Sequence, residues 1–147
     1  MSTERITLHA PFGAAAMLGL LCHLPIDRPT DLRGQVELHQ TDPIHSRRAW
    51  GIIFDWARRA GWSEGDLATS EYGTLSLRRG RLGWVEILGC CRRGSKNYPD
   101  DHKLHYNLGR TGPIPPWLWI ITKPTIAKLG QSAPPRPARH YQRVLFT

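Results

Sequence analysis

Between Ile6 and Gln40 the chain alternates, then runs through small residues, then alternates again, and few folds accommodate that order. Ile6 and Leu8 alternate with Thr7 and His9, the period of a half-buried strand over Ile6–His9. Pro11 ends that strand and suits the entry to a helix. Gly13, Ala14, Ala15 and Ala16 then permit very close packing, with Met17, Leu18, Leu20 and Leu21 as apolar bulk, predicting a helix over Gly13–Leu21. Pro25 and Pro29 prevent its continuation, so Cys22–Leu32 reads as a loop carrying His23, Asp27 and Arg28. After Arg33 and Gly34, Gln35–Gln40 alternates again, with Val36 and Leu38 directed to the core. A helix end and a charged loop are thus placed at the mouth of a sheet, where a site is expected.

The remainder predicts more strands than helices. Ser46 is a plausible N-cap for a helix to Ala60, closed by Gly61, with Trp50, Ile53, Phe54 and Ala57 as its buried stripe. Asp55 stands at helical spacing from Arg58 and Arg59, which weakens that basic face as an anion site. Residues 61–73 read as surface connection and Thr74–Arg78 as a short strand. Leu82–Cys91 is apolar on both faces apart from Glu86, the pattern of a central strand, with Gly83 and Gly89 marking bulges or sharp bends. A carboxylate at Glu86 is either paired with a buried Arg or tuned for chemistry. Trp117–Thr122 is a strand ended by Lys123-Pro124, Gln131–Arg139 is Pro-rich and extended, and Arg143–Thr147 is a last strand. The expected fold is a single α+β domain over residues 1–147, mainly β. It is most economically a barrel of about six strands with two or three helices packed outside.

Between Arg92 and Pro116 no periodicity is visible. The segment holds Arg92, Arg93, Lys96, Lys103 and Arg110 interleaved with Tyr98 and Tyr106, a composition suited to phosphate contact and base stacking along a single strand. The net charge of +8 across 147 residues points the same way, towards a polyanionic partner such as RNA, DNA or a nucleotide. The three cysteines, Cys22, Cys90 and Cys91, are odd in number and lack the two-residue spacing of a structural zinc site. Reduced thiols in a cytoplasmic setting, with no metal and no cofactor, are therefore expected. The apolar run Ala14–Leu21 is too short to span a bilayer and lacks the flanks of a signal peptide, so no membrane partner is expected.

On these motifs the chain resembles the ASCH family of the PUA-like superfamily. The resemblance rests on Ala10-Pro11-Phe12, the helix to Leu21, Arg28, and Arg33-Gly34 entering Val36-Glu37-Leu38-His39. It continues in Arg81-Leu82-Gly83-Trp84-Val85-Glu86-Ile87, in Trp117–Pro124 and in the closing strand. It implies a PUA-like β-barrel with a cleft for nucleic acid or a modified nucleoside beside the first helix. Relatives of that kind include acetylcytidine amidohydrolases, and a ribonuclease activity is associated with the family. The amide-cleaving type uses a Lys, a Thr and a Glu. Here the Lys position falls on His23 and the Thr or Glu position on Ile26, with Asp27 adjacent and Glu86 elsewhere. The candidate catalytic residues are accordingly His23, Asp27 and Glu86.

The expected function is nucleic-acid binding, RNA rather than DNA, with the loop Cys22–Gly34 and the segment Arg92–Arg110 as the two sides of a groove. Arg28 and Arg33 would contact phosphate from one side and Arg92, Arg93, Lys96, Tyr98, Lys103, Tyr106 and Arg110 from the other. Alternatives are a hydrolase, including a ribonuclease using His23, His102 or His105 as acid and base, and an interaction module binding an acidic protein.

Overall fold

The computed structural model describes residues 5–43, 46–99, 101–110, 112–128 and 139–140. The expected Pro-rich segment, apart from Arg139, and the expected strand Arg143–Thr147 lie outside them, as do the side chains of His102 and His105. The described chain is α+β. Strands β1 (Arg5–His9), β2 (His23–Ile26), β3 (Leu32–Thr41), β4 (Gly80–Arg92) and β5 (Trp117–Ile126) form one curled, half-barrel sheet in the order β1-β3-β4-β5-β2. A two-residue strand, β6 (Arg139–His140), pairs with Leu32 and Arg33 of β3. Only β1 and β3 run parallel. The helices are α1 (Phe12–Met17), α2 (Ser46–Arg59), α3 (Glu64–Thr69) and α4 (Tyr72–Leu77). No helix among the described residues is long and apolar enough to cross a membrane.

The small residues of α1 fit it to one face of the sheet. All six of its residues are buried, and it packs against β1, β3, β4 and β5. A Cβ at Gly13 would stand 2.7 Å from Gln40 Oε1 and 3.0 Å from Leu82 Cδ1, closer than side chains normally approach. Gln40, itself buried on β3, makes this contact chemical as well as steric. Its Oε1 accepts the Ala14 N–H at 2.9 Å, and its Nε2 donates to the carbonyls of Leu75 at 2.9 Å and Arg78 at 2.8 Å. One amide thus fastens α1 and the end of α4 to the sheet.

Several elements differ from the sequence expectation, each for a physical reason. The loop after α1 contains strand β2, which pairs with β5. Its Pro25 is tolerated because β2 is the last strand of the sheet, where an absent N–H costs no ladder bond. Residues 61–73 are not a plain connection. Ser63 Oγ accepts the Asp66 N–H at 3.0 Å and the Ser63 N–H donates to Asp66 Oδ2 at 2.7 Å, a capping box that starts α3. The alternation of residues 74–78 belongs to helix α4, because Tyr72 and Leu75 bury together at helical spacing while Leu77 is exposed.

On α2 the buried stripe is turned by one residue from Trp50, Ile53, Phe54 and Ala57. Ala49, Ile52, Ile53, Trp56 and Ala57 face inward, and Phe54 is 46 % exposed. The gain is the complete burial of Trp56, which stacks at a tilt on Phe12 at 5.7 Å. Strand β5 continues past Lys123-Pro124 to Ile126. Lys123 adopts a left-handed backbone, and the ladder with β4 shifts register between Trp84 and Glu86 to absorb it.

Candidate functional site

Curling brings the two end strands of the described sheet towards each other, and among the described residues they do not pair. Strand β1 ends the sheet on one side and β2 on the other, and both line a single cleft of about 330 Å³. Because the cleft opens against the outer edge of β1, side chains from both faces of that strand line it: Ile6 and Leu8 from the core side, Arg5, Thr7 and His9 from the other. Pro25, Ile26, Asp27 and Arg28 come from the β2 end. Leu108 and Arg110 come from the 310 segment His102–Gly109 and the residue after it, and Trp119 closes the wall from β5.

The 310 segment owes its shape to two left-handed residues, Asn107 (φ 47°) and Leu108 (φ 54°). Asparagine tolerates this conformation, but leucine pays for it in strain, and such residues persist only where surrounding contacts over-determine them. Those contacts are present. Asn107 is buried, its Nδ2 donates to the carbonyls of Gly112 and Pro113, and its own carbonyl accepts from Arg110 Nε at 3.3 Å. The turn therefore delivers Leu108 and Arg110 together into the cleft. Arg110 Nη2 donates to the Pro25 carbonyl at 3.0 Å. Burial works against the charge of this guanidinium and the Asp27 carboxylate partly restores it, so Arg110 remains a fixed cation in a half-buried position. Arg28 is exposed at the rim with its Cζ 5.2 Å from the centre of the Trp119 ring, and its carbonyl accepts the Trp119 indole N–H at 2.7 Å. Among the described residues the lining holds three guanidiniums, Arg5, Arg28 and Arg110, and one carboxylate, Asp27, beside apolar side chains.

The two segments expected to flank a groove, Cys22–Gly34 and Arg92–Arg110, both reach this cleft through Asp27, Arg28 and Arg110. The other expected site residues lie elsewhere. Arg33 turns its Nη1 to the carbonyls of Thr30 and Leu32, at the start of β3. Arg92, Arg93 and Lys96 are exposed at the end of β4 and in the turn beyond it. Tyr98 packs half-buried against Cys91, Leu104 and Leu118. Lys103 Nζ donates to the Leu20 carbonyl at 2.6 Å and approaches the Trp56 ring, and Tyr106 packs edge-on against the same ring at 5.8 Å. Lys103 and Tyr106 therefore anchor the 310 segment to the helical layer, and the aromatic side chain behind the cleft is Trp119, almost fully buried beneath Arg28.

His23, Asp27 and Glu86 do not meet. Only Asp27 lines the cleft. Glu86 faces Gln35 and Thr122 across the sheet, with its Oε2 3.7 Å from Lys123 Nζ, an ion pair with a largely exposed lysine where a buried Arg was expected. His23 Nδ1 lies 2.6 Å from Asp101 Oδ2, and the other oxygen of Asp101 accepts the Lys103 N–H at 3.0 Å, capping the 310 segment. Burial opposes ionisation of Asp101, but the bond to His23, the Lys103 N–H and the Lys103 charge outweigh it and hold its carboxyl below the usual range. On the far face of β3, Glu37 is held low chiefly by its 2.9 Å bond to His39. Burial opposes that shift, and Arg81 adds to it.

A depressed carboxyl binds its proton later in the folded state than in the unfolded one, so its contribution is complete at neutral pH and is lost on the acid side. The melting temperature is expected to hold down to about pH 5 and fall progressively below about pH 4, where unfolded carboxylates begin to protonate. Asp101→Asn should be less stable than the parent at pH 7. That difference should narrow as pH drops towards about 3. A gap that stays constant across a melting series would remove Asp101 from the account.

The residues that the sequence reading left out are Arg5, Thr7, His9, Leu108 and Trp119. The first three were legible as the polar half of the same alternation that identified β1. Nothing local marks Leu108 and Trp119, whose roles depend on the closing of the sheet. No protein-family model matches this sequence, and no curated protein matches it.

Proposed function

We propose that this chain is a divergent ASCH/PUA-like domain that binds nucleic acid, RNA in preference to DNA, in the cleft between β1 and β2. The observation that carries the reading is the convergence of Arg5, Arg28 and Arg110, from three separate parts of the chain, on one recess with an apolar side. Guanidiniums suit phosphate oxygens, being planar, always charged and able to donate two hydrogen bonds at once. The half-buried Ile26, backed by the buried Leu108 and Trp119, gives the recess an apolar side against which part of a base can lie. The curled sheet, with α1 packed on one face and the recess beside it, is in keeping with the resemblance in the sequence. Binding is favoured over cleavage. Ile26 stands in the wall where the amide-cleaving relatives carry a polar group, and His23 is engaged with Asp101.

The test is a fluorescence-anisotropy titration with a labelled single-stranded RNA. Replacing both Arg28 and Arg110 by alanine is expected to weaken binding about tenfold or more. It should also lower the slope of log affinity against log salt by about 1.4, the release from two single-strand phosphate contacts. Arg92→Ala with Arg93→Ala, which lie off the cleft, serves as the comparison and should change both quantities less. Equal effects of the two pairs would place the binding surface elsewhere. Unaltered affinity in the cleft variant, with folding checked by circular dichroism, would dismiss the reading.

A further inference from the structure

Asp27 differs from the other described carboxylates on the sheet and the 310 segment. Those are engaged: Glu37 with His39 and Arg81, Glu86 with Lys123, and Asp101 with His23. Asp27 is exposed and makes no hydrogen bond or ion pair with any described residue; only its field reaches Arg110. Arg110 directs its own donors elsewhere, Nη2 to the Pro25 carbonyl at 3.0 Å and Nε to the Asn107 carbonyl at 3.3 Å. The cleft therefore presents an open pair of acceptor oxygens. Beside them stand the half-buried Ile26, the preceding residue, and the guanidiniums of Arg28 and Arg110.

In a cleft that receives phosphate, such a carboxylate lowers affinity by repulsion unless the ligand brings hydrogen-bond donors to it. An ionised carboxylate only accepts, and it does so through two oxygens side by side. Among the unmodified bases guanine alone carries two adjacent donors on its Watson–Crick edge, the N1–H and the 2-amino group. Adenine and cytosine set an amino group beside a ring nitrogen whose lone pair repels the second oxygen. Uracil sets one N–H between two carbonyls. An unpaired strand leaves this edge free to be read. We infer that Asp27 is a specificity-determining residue, accepting both donors of an unpaired guanine that lies partly against Ile26 while the guanidiniums hold phosphate. This rests on the proposed function, since it names the base that the cleft selects.

The closing experiment titrates the full chain by fluorescence anisotropy with a short single-stranded RNA that is otherwise free of guanine. One central position is guanosine, inosine, adenosine, cytidine or uridine. The guanosine strand should bind at least about fivefold more tightly than the adenosine, cytidine and uridine strands, the lower end expected of a bidentate contact to a base. Inosine, which keeps the N1–H but lacks the 2-amino group, should fall between. A 2′-deoxyguanosine at the same position should bind within about twofold of guanosine, because the contact is to the base and not the 2′-hydroxyl. Asp27→Asn exchanges one acceptor for a donor and removes the charge. It should bind the adenosine strand at least as tightly as the parent does and cut the guanosine advantage to below about twofold. A local loss of structure would instead weaken every strand alike. If no strand binds, the proposed function falls and this inference with it. Binding without preference, preference for another base, a guanosine advantage that survives in Asp27→Asn, or one lost with 2′-deoxyguanosine would overturn the inference alone.

Discussion

Gly83→Ala is expected to destabilise the domain by about 3–5 kcal/mol, lowering the melting temperature by roughly 10–15 °C. A Cβ at this position would overlap the Thr125 carbonyl oxygen and would lie 2.8 Å from Met17 Cε and 2.9 Å from the Ala127 amide nitrogen. Met17 can move, but the other two atoms are backbone, and the Ala127 N–H already donates to the Leu82 carbonyl at 2.9 Å. Relief therefore requires β4 and β5 to separate where Gly83 pairs with Ile126, next to the register shift opposite Leu38 of β3. Such a cost is a large share of the 5–15 kcal/mol typical of a whole domain. A melting temperature within about 2 °C of the parent would show that the strands yield far more easily than their packing implies.

Gln40→Leu is the second large effect, about 2–4 kcal/mol. Leucine has similar bulk but returns nothing to the backbone groups that Gln40 serves. The Ala14 N–H, in the first turn of α1, and the carbonyls of Leu75 and Arg78, at the end of α4, would be left without this partner in a buried setting. Gln40→Glu distinguishes polarity from shape. It keeps the acceptor for Ala14 but sets a carboxylate oxygen against the two carbonyls, so at neutral pH it should cost more than leucine. Urea unfolding of the three proteins decides the matter. If glutamate proves better tolerated than leucine, the carbonyl contacts contribute little.

How much of this was legible in the sequence depended on whether the cause was local. Ile6 and Leu8 announced β1 through alternation, and the Gly-Ala run announced a helix that had to lie very close to something. Gly83 and Gly89 were readable as irregularities of β4, and register shifts lie beside both. The capping box at Ser63 and Asp66 has the sequence spacing of a helix start, but few apolar residues follow it to mark a helix. Other features had no local cause. Residues 23–26 form a strand because β5 offers an edge, Trp56 turns inward because Phe12 is there to meet it, and Leu108 is left-handed because Asn107 is held from several directions. The site suffered most from this. Basic and aromatic residues between Arg92 and Arg110 looked equivalent by composition, yet folding sends Lys103 and Tyr106 inward as anchors and leaves Arg110 to the cleft. No pattern in that segment distinguishes them.

Two strand edges face one another across the cleft, and an exposed edge is a template on which another chain can add its own strand. Here that opening is defended. Pro25 offers no N–H, the Pro25 carbonyl is occupied by the Arg110 guanidinium, and Arg5 places a charge on the opposing edge. The same cations that recommend the cleft to a polyanion thus keep copies of the domain from zipping together, so charge-removing variants at Arg5 and Arg110 should be watched for self-association as well as for lost binding.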